Sequence, residues 1–200
     1  MRMRKLWPLL MAGSVGAMGF QVASADDYQL LVGSYTAGQS QGIYRLNFDS
    51  VTGQIDAKPL QVVKSENPSW LTLSKDQRHL FVVNENGPGQ TDPVGRVSSY
   101  AIDPETHALS LINQVQSLGN EPTHSSLGVE ASHLFVSNYS VSEDPGGTLA
   151  VLPVGADGKL KSVVQMSSHP SSRVNPERQM SAHVHSTVSS PDGKFVFSND

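Results

Sequence analysis

Three histidines and one arginine have the types and spacing that could support chemistry. His183 and His185 are two positions apart, so in a β-strand both side chains would project from the same face. Arg178 lies shortly before them, and His124 takes the place of His185 in an earlier copy of the same segment. Histidine exchanges protons near neutral pH and can activate water, whereas arginine binds an anionic group or stabilises an oxyanion. These four side chains suit the opening of a small cyclic ester, and we predict that they are catalytic.

Aromatic and acidic side chains occupy related positions in the repeated segment. Trp70 takes the place of the catalytic histidine in the first full copy, while Glu85 and Tyr139 directly follow the last strand residue of successive copies. We expect all three near the same opening, where they would contact a bound small molecule. The sequence therefore predicts Trp70, Glu85 and Tyr139 as substrate-binding residues.

A metal site is the alternative role for the histidines. Two histidines at strand spacing, together with His124, could supply the three nitrogen ligands of a zinc site. Nothing else in the sequence requires a metal, and we predict neither a metal nor any other cofactor. The sequence also has no glycine-rich phosphate loop and no Gly-x-Ser-x-Gly motif, and the absence of cysteine excludes a thiol nucleophile.

The elements that position these residues are predicted to be β-strands, because one segment recurs along the chain. Its three full copies end on Asn84, Asn138 and Asn199, each 14 positions after the first residue of its copy. A partial copy ends at Ser34, which makes the repeat 50 to 61 residues long. Each unit has four runs of alternating apolar residues separated by Gly-, Pro- or Asp-containing turns, a pattern typical of strands. Four-stranded units that repeat in this way predict an all-β β-propeller, whereas a plain β-sandwich has no reason to repeat.

Two features predict that the chain is the N-terminal part of a longer propeller. The first unit begins at its second strand, and the sequence stops at Asp200, at the end of another second strand. A propeller closes into a ring of about 4–8 blades, and a partial ring would leave strand edges and blade faces exposed. We therefore expect roughly three to three and a half blades here, with the C-terminal half missing.

Loop lengths predict which rim of the propeller carries the site. The links from second to third strands are long, at residues 86–94 and 140–146, and so is the link between blades at residues 167–182. The turns on the opposite rim are tight. Long loops on a rigid scaffold are the usual place for binding and catalytic residues. The same rim receives the starts of the innermost strands and the ends of the second strands, so the candidate residues should meet there, at the mouth of the central channel.

Residues 1–25 have the pattern of a secretory signal peptide. Arg2, Arg4 and Lys5 form a basic start, an uncharged apolar stretch follows, and Ala23-Ser24-Ala25 fits a cleavage site. The apolar run is shorter than the roughly 20 residues that a membrane-spanning helix needs, which disfavours an anchor. We therefore predict a mature domain of residues 26–200 that is periplasmic or secreted, with no membrane contact after cleavage.

The charge of the predicted mature domain limits its partners. Without residues 1–25 the chain carries 11 basic and 18 acidic residues, a net charge of −7. Such an acidic chain is unsuited to binding nucleic acid or an anionic membrane surface. A small molecule is therefore the predicted partner, and the sequence does not indicate an oligomeric state.

Several stretches of the chain match a known family. They are Val32-Gly-Ser-Tyr-Thr36, Asn67-Pro-Ser-Trp-Leu71, Val83-Asn-Glu85, Glu121-Pro-Thr-His124, Ser137-Asn-Tyr139 and Arg178-Gln-Met-Ser-Ala-His-Val-His-Ser186. In these stretches, which run in order through residues 28–200, the chain resembles the lactonase family of seven-bladed propellers. That family includes bacterial 6-phosphogluconolactonase and is similar to fungal carboxy-muconate cyclase.

The resemblance implies seven blades in the full protein and a sugar lactone as substrate. It also implies a site at the channel mouth to which several blades contribute, and the matching positions are His124, Arg178, His183 and His185, with Glu85 nearby. Later blades of the family supply further site residues. Export is unusual for an enzyme of a phosphorylated cytoplasmic intermediate, so a non-phosphorylated sugar lactone is an alternative substrate.

Three functions remain open at this stage. The first is a 6-phosphogluconolactonase-like hydrolase, in which water attacks the ring carbonyl with help from histidine and arginine. The second is a muconate-cyclase-like isomerase, which would use a base and an acid without consuming water. The third is a non-catalytic binding propeller, because a fold does not determine a function.

Overall fold

The computed structural model describes residues 27–140 and 146–200, and every regular element in these ranges is a β-strand. The predicted signal peptide and its cleavage site lie outside the described residues. Within the two ranges, no helix is long and apolar enough to cross a membrane.

The strands form antiparallel sheets in which sequence neighbours are also spatial neighbours. The first sheet contains β1 (Asp27–Gly33), β2 (Gly42–Asp49) and β3 (Gln61–Lys64). The second contains β4 (Pro68–Leu73), β5 (His79–Asn84), β6 (Arg96–Ile102) and β7 (Leu109–Gln116). The third contains β8 (Pro122–Leu127), β9 (His133–Asn138), β10 (Thr148–Pro153) and β11 (Gln165–Ser167). A final hairpin contains β12 (Ser186–Ser189) and β13 (Val196–Asn199).

These sheets confirm the predicted blades. The second and third sheets have the expected four strands, the first has three, and the last pair is the beginning of a further blade. The innermost strands lie side by side, with β4 next to β8 and β8 next to β12. This arrangement places the starts of consecutive blades along one wall of the channel.

The first residue of each full repeat copy, Trp70, His124 or His185, is predicted to begin an innermost strand, and the structure differs from this prediction. β4 and β8 start at Pro68 and Pro122, two residues before Trp70 and His124, and a bulge separates each proline from the aromatic residue. Proline is suited to the first position of a strand because it has no N–H to donate. The bulge adds one residue and re-aims the side chain that follows it, which the alternating sequence pattern could not reveal. In the last hairpin, β12 starts one residue after His185.

The core lies between the sheets, and β5 contributes to both of its clusters. Leu80 and Val82 pack towards the first sheet, while Phe81 and Val83 pack towards the third. Alternating residues of one strand therefore face two different neighbours, and both sets are 0–1% exposed. This explains why the strand is an unbroken apolar run rather than an alternation of apolar and polar residues. The stacked faces hold the blades, and hence their rims, in a fixed relation.

The recurring asparagine ties the strands of each blade together. In the second sheet, the Asn84 amide donates to Ser65 Oγ at 3.0 Å and to the Glu66 carbonyl at 2.5 Å. Its Oδ1 accepts hydrogen bonds from Ser98 Oγ at 2.7 Å and from Gln114 Nε2 at 3.2 Å. The side chain is only 1% exposed, so these bonds satisfy a buried amide. Asn84 thereby joins the end of β5 to the start of the blade and to both outer strands.

Equivalent asparagines act in the later blades. Asn138 Nδ2 donates to Thr148 Oγ1 on β10 at 3.2 Å, and Asn199 Nδ2 donates to Ser186 Oγ on β12 at 2.9 Å. In each case the end of the second strand is bonded to an adjacent strand. The recurrence of asparagine in the sequence therefore reflects a structural role, and it fixes the position of the residue that follows.

Replacing this asparagine should destabilise the propeller. Asn84→Ala removes a buried amide and leaves its partners unsatisfied, so we expect the free energy of unfolding to fall by about 2–3 kcal/mol. Denaturant unfolding of the gene product that contains this chain measures the change. Gln54→Ala, at an exposed turn position, is the control and should stay within about 0.5 kcal/mol of wild type. Equal effects of the two substitutions would contradict the structural role of Asn84.

Candidate active site

The residue after each recurring asparagine lies on the same rim as the start of the innermost strands. We refer to this rim as the mouth, formed by Trp70, Glu85, His124, Tyr139, His183, His185 and Asp200. Within a blade, Glu85 N–H donates to the Asn67 carbonyl and Tyr139 N–H donates to the Glu121 carbonyl, both at 2.9 Å. Between blades, Glu121 N–H donates to the Asn86 carbonyl at 2.8 Å. The rim is thus a continuous structure to which successive blades contribute equivalent positions.

Trp70 and His124 contact each other across two blades. Their ring centroids are 4.2 Å apart, and the planes are tilted by 36°. The Trp70 indole donates to the Ser125 carbonyl at 3.0 Å, and Thr72 Oγ1 lies 2.7 Å from the same oxygen. Both rings line a groove of about 540 Å³ on the channel wall, and Val188 of β12 also contributes. Trp70 is 42% exposed, so its surface is available to a ligand in the groove.

His124 accepts a hydrogen bond from the backbone. The Thr187 N–H donates to His124 Nδ1 at 3.3 Å. Burial, and secondly the proximity of His185, lower the pKa of His124 below its ordinary value of 6.5. The ring is therefore a neutral imidazole at pH 7.

His183 is held by three separate contacts. Its Nδ1 lies 2.7 Å from the Ser140 carbonyl oxygen and 3.3 Å from that of Tyr139. Its backbone N–H donates to Asp200 Oδ1 at 2.7 Å. Its ring stacks on Tyr139 with centroids 4.7 Å apart and an interplanar angle of 21°. These contacts fix both the backbone and the plane of the ring.

His185 completes the group of rings at the mouth. The Tyr139 ring meets His185 edge-on, with centroids 5.7 Å apart and an angle of 86°. The His185 side chain is exposed. The structure therefore brings together all three predicted histidines, with Trp70 beside His124 and Tyr139 between His183 and His185.

The sequence did not identify two further residues as site residues, Asp200 of the mouth and Tyr35 beside it. Asp200 binds the His183 backbone and also lies 3.4 Å from His169 Nε2, which brings the loop of residues 167–182 to the mouth. Tyr35 hydrogen-bonds to Glu85, and its burial, followed by this carboxylate and then that of Glu121, raises its pKa to about 12. Both residues follow a strand end of the repeat, which is the signal that could have identified them.

Arg178 is the predicted residue that the structure does not bring into contact with the histidines. It lies in a turn that begins at Asn175, whose backbone and side-chain oxygens accept the Arg178 N–H. Its side chain is exposed, and among the described residues no hydrogen bond or ion pair joins its guanidinium to a histidine. Its catalytic role stays a prediction.

Two other types of site are less consistent with the described residues. No three His, Asp or Glu side chains in residues 27–140 and 146–200 are grouped so that they could hold a metal ion. A cavity of about 950 Å³ lies between the second and third sheets, but no titratable side chain of the described residues lines it. Proton transfer therefore has no group to use in that cavity, whereas the mouth offers three imidazoles. The polar residues that line this cavity between the sheets include Gln90, Gln116, Asn120, Ser140 and Thr148.

Comparison with known families agrees with this architecture. A family model described as "Lactonase, 7-bladed beta-propeller" matches residues 29–200. The chain belongs to this family. A seven-bladed ring accounts for the three sheets and the additional hairpin seen here, and the resemblance noted in the sequence is confirmed.

Several lactonases are similar to this family member. The 6-phosphogluconolactonase of Bacillus subtilis is 30% identical over 169 residues, which are 84% of this chain and 45% of that protein. The 6-phosphogluconolactonase of Formosa agariphila is 30% identical over 173 residues, which are 86% of this chain and 46% of that protein. The solved structure of the Pseudomonas aeruginosa periplasmic gluconolactonase is 53% identical with a TM-score of 0.82, covering 88% of this chain and 47% of that one. The chain thus spans about half the length of these relatives.

The low pKa of His124 predicts a pH-dependent stability. The unfolded chain binds a proton at this histidine near 6.5, whereas the folded chain binds it only at lower pH. The contribution of His124 to folding stability is therefore present above pH 6.5. It is lost as the pH falls from 6.5 towards the lower pKa that His124 has in the folded chain. We expect thermal unfolding of His124→Gln to be less sensitive than wild type to acidification from about pH 8 to about pH 5. His133→Gln, at an exposed position on the opposite rim, should behave like wild type, and parallel curves for all three proteins would contradict the prediction.

Proposed function

We propose that the gene product containing this chain is a lactone hydrolase that opens a sugar lactone at the mouth. The observation that carries this proposal is the group of three histidines from two blades, with Tyr139 between two of them and a groove beside the third. Membership of a family whose similar members are named 6-phosphogluconolactonase or gluconolactonase supports the reaction class.

The proposed reaction uses water as the nucleophile. A histidine accepts a proton from water while the water oxygen bonds to the ring carbonyl carbon. Collapse of the resulting oxyanion breaks the bond to the ring oxygen, which takes the proton and becomes a hydroxyl group. Arg178, if its exposed side chain turns towards the mouth when substrate binds, stabilises the oxyanion or an anionic group of the substrate. The product is an open-chain hydroxy acid, and no cofactor is consumed.

The proposed substrate is a sugar lactone without a phosphate group. Trp70 and Tyr139 offer aromatic surfaces that suit the apolar faces of a sugar ring, and Glu85 can accept hydrogen bonds from its hydroxyls. Glu85, Glu121 and Asp200 also make the rim acidic, which disfavours a dianionic phosphate. The 53% identical Pseudomonas protein is a periplasmic gluconolactonase, which supports a gluconolactone-like substrate.

We also propose that the protein works in the periplasm. The predicted signal peptide of residues 1–25 directs export, and the Pseudomonas gluconolactonase is named as periplasmic. An exported enzyme meets free sugar lactones rather than phosphorylated intermediates of the cytoplasm. Location and substrate preference are therefore consistent with each other.

Acid release from lactones tests the proposed function. We expect the gene product that contains this chain to open δ-gluconolactone faster than spontaneous hydrolysis and faster than it opens 6-phosphogluconolactone. His183→Ala should lower kcat/KM by about a hundredfold or more, since a positioned general base contributes on that scale. His133→Ala, an exposed histidine on the opposite rim, is the matched control and should retain wild-type activity. No rate above background on either lactone would contradict the hydrolase and favour an isomerase or a binding propeller.

A further inference from the structure

His124 and His183 both turn Nδ1 towards the backbone, but Nδ1 of His183 meets carbonyl oxygens whereas Nδ1 of His124 meets an N–H group. We infer that backbone contacts fix opposite tautomers at these two residues, so that His183 is the base and His124 is the hydrogen-bond donor. The proton positions follow from contacts within this chain, whereas the catalytic roles rest on the proposed lactone hydrolase. In this reaction His183 and His124 would each have one function, base and hydrogen-bond donor respectively.

The surroundings of His183 require a proton on its Nδ1. Both neighbours of this nitrogen, at 2.7 and 3.3 Å, are backbone carbonyl oxygens of Ser140 and Tyr139. A carbonyl oxygen can only accept a hydrogen bond, so Nδ1 must donate. In the neutral imidazole the other nitrogen, Nε2, then carries the lone pair. His183 is therefore a base whose basic atom is Nε2.

The surroundings of His124 require the opposite state. A backbone N–H can only donate, and that of Thr187 points at His124 Nδ1 from 3.3 Å. Nδ1 must therefore hold a lone pair, and the proton of the neutral ring is on Nε2. The lowered pKa of His124 is consistent with a ring that stays neutral. A neutral imidazole with a fixed N–H is suited to stabilising a developing oxyanion.

The repeat supports a specialised role for His183. The equivalent positions in the two preceding blades are Pro68 and Pro122, which begin their strands without donating an N–H. In the last blade His183 takes this place, and its N–H donates to Asp200 instead. Ser140, whose carbonyl receives the ring proton, adopts a φ of 51°, which is unusual for a residue other than glycine. Strained backbone of this kind tends to cluster at functional sites.

The two assignments together describe a balanced reaction. His183 Nε2 takes a proton from water as the new bond to the carbonyl carbon forms, and His124 Nε2–H donates a hydrogen bond to the oxyanion. When the carbon–oxygen bond of the ring breaks, the proton on His183 passes to the ring oxygen. His183 regains its lone pair, and the net change is addition of one water to the lactone.

Nitrogen NMR of the histidine rings tests the proton positions directly. The gene product that contains this chain is labelled with 15N-histidine, and the rings are assigned with His124→Gln and His183→Asn. Above the pH range in which histidine titrates, we expect His183 to show a protonated Nδ1 and His124 a protonated Nε2. The same tautomer at both rings, or the reverse assignment, would overturn the inference.

Kinetics of amide variants test the roles. Glutamine places an amide N–H near the position of Nε2 but cannot take up a proton, so His124→Gln should be at least about tenfold more active than His124→Ala. His183→Gln should be as inactive as His183→Ala. His183→Asn keeps a donor for the Ser140 carbonyl, so it should unfold like wild type yet remain inactive. Substantial activity in His183→Gln, or none of the expected advantage for His124→Gln, would overturn the role assignment.

Failure of the proposed function can be distinguished from failure of this inference. A wild-type protein that opens neither lactone contradicts the hydrolase. The NMR spectra of the same sample still support the opposite tautomers if the two rings differ as expected, and they overturn them if the rings are alike.

Discussion

A buried asparagine at the end of the second strand, Asn84 in the second sheet and Asn138 in the third, is the interaction on which the mouth depends. Asn84 makes four side-chain hydrogen bonds that join its strand to the preceding link and to both outer strands of the blade. Asn138 bonds Thr148 on the adjacent strand, and Asn199, which is exposed, bonds Ser186. Because a buried amide is costly to leave unpaired, the network holds the strand end in one place. The next residue therefore always reaches the rim, whatever its side chain.

The mouth combines this constant backbone with different side chains in successive blades. Glu85, Tyr139 and Asp200 occupy one equivalent position, and Trp70, His124 and His185 occupy another. The same scaffold therefore places a carboxylate, a phenol, an indole and imidazoles within reach of one another. A specific site can form on a repetitive fold because the side chains differ between blades at positions whose backbone geometry is the same.

The sequence predicted the blades and most of the mouth for a physical reason. Strand alternation and turn residues are local signals, and the fixed spacing of 14 positions within each copy allows successive blades to be aligned. The proximity of His124, His183 and Tyr139 followed from their equivalent places in the repeat. The bulges after Pro68 and Pro122 did not follow, because an extra residue in one strand is set by pairing with its neighbour.

Other features depend on contacts between segments that no local pattern records. The tautomer of His183 is set by the carbonyl of Ser140, whose φ of 51° is a property of the folded loop. The raised pKa of Tyr35 depends first on its burial in the folded protein and then on Glu85 in the adjacent blade. Arg178 lies in a long loop without periodicity, so its place in the sequence did not determine where its side chain would lie. Residues on the repeat were therefore predictable, and residues that depend on loops or on neighbouring blades were not.

We propose that the histidines at the mouth surround the reacting carbonyl. A crystal structure of the gene product that contains this chain, bound to the unreactive lactam analogue of gluconolactone, tests it most directly. We predict that the lactam carbonyl oxygen lies within hydrogen-bond distance of His124 Nε2, with His183 Nε2 facing the carbonyl carbon across space for one water. A lactam bound instead in the cavity between the second and third sheets, beside Gln90 and Thr148 and out of contact with all three histidines, would contradict it.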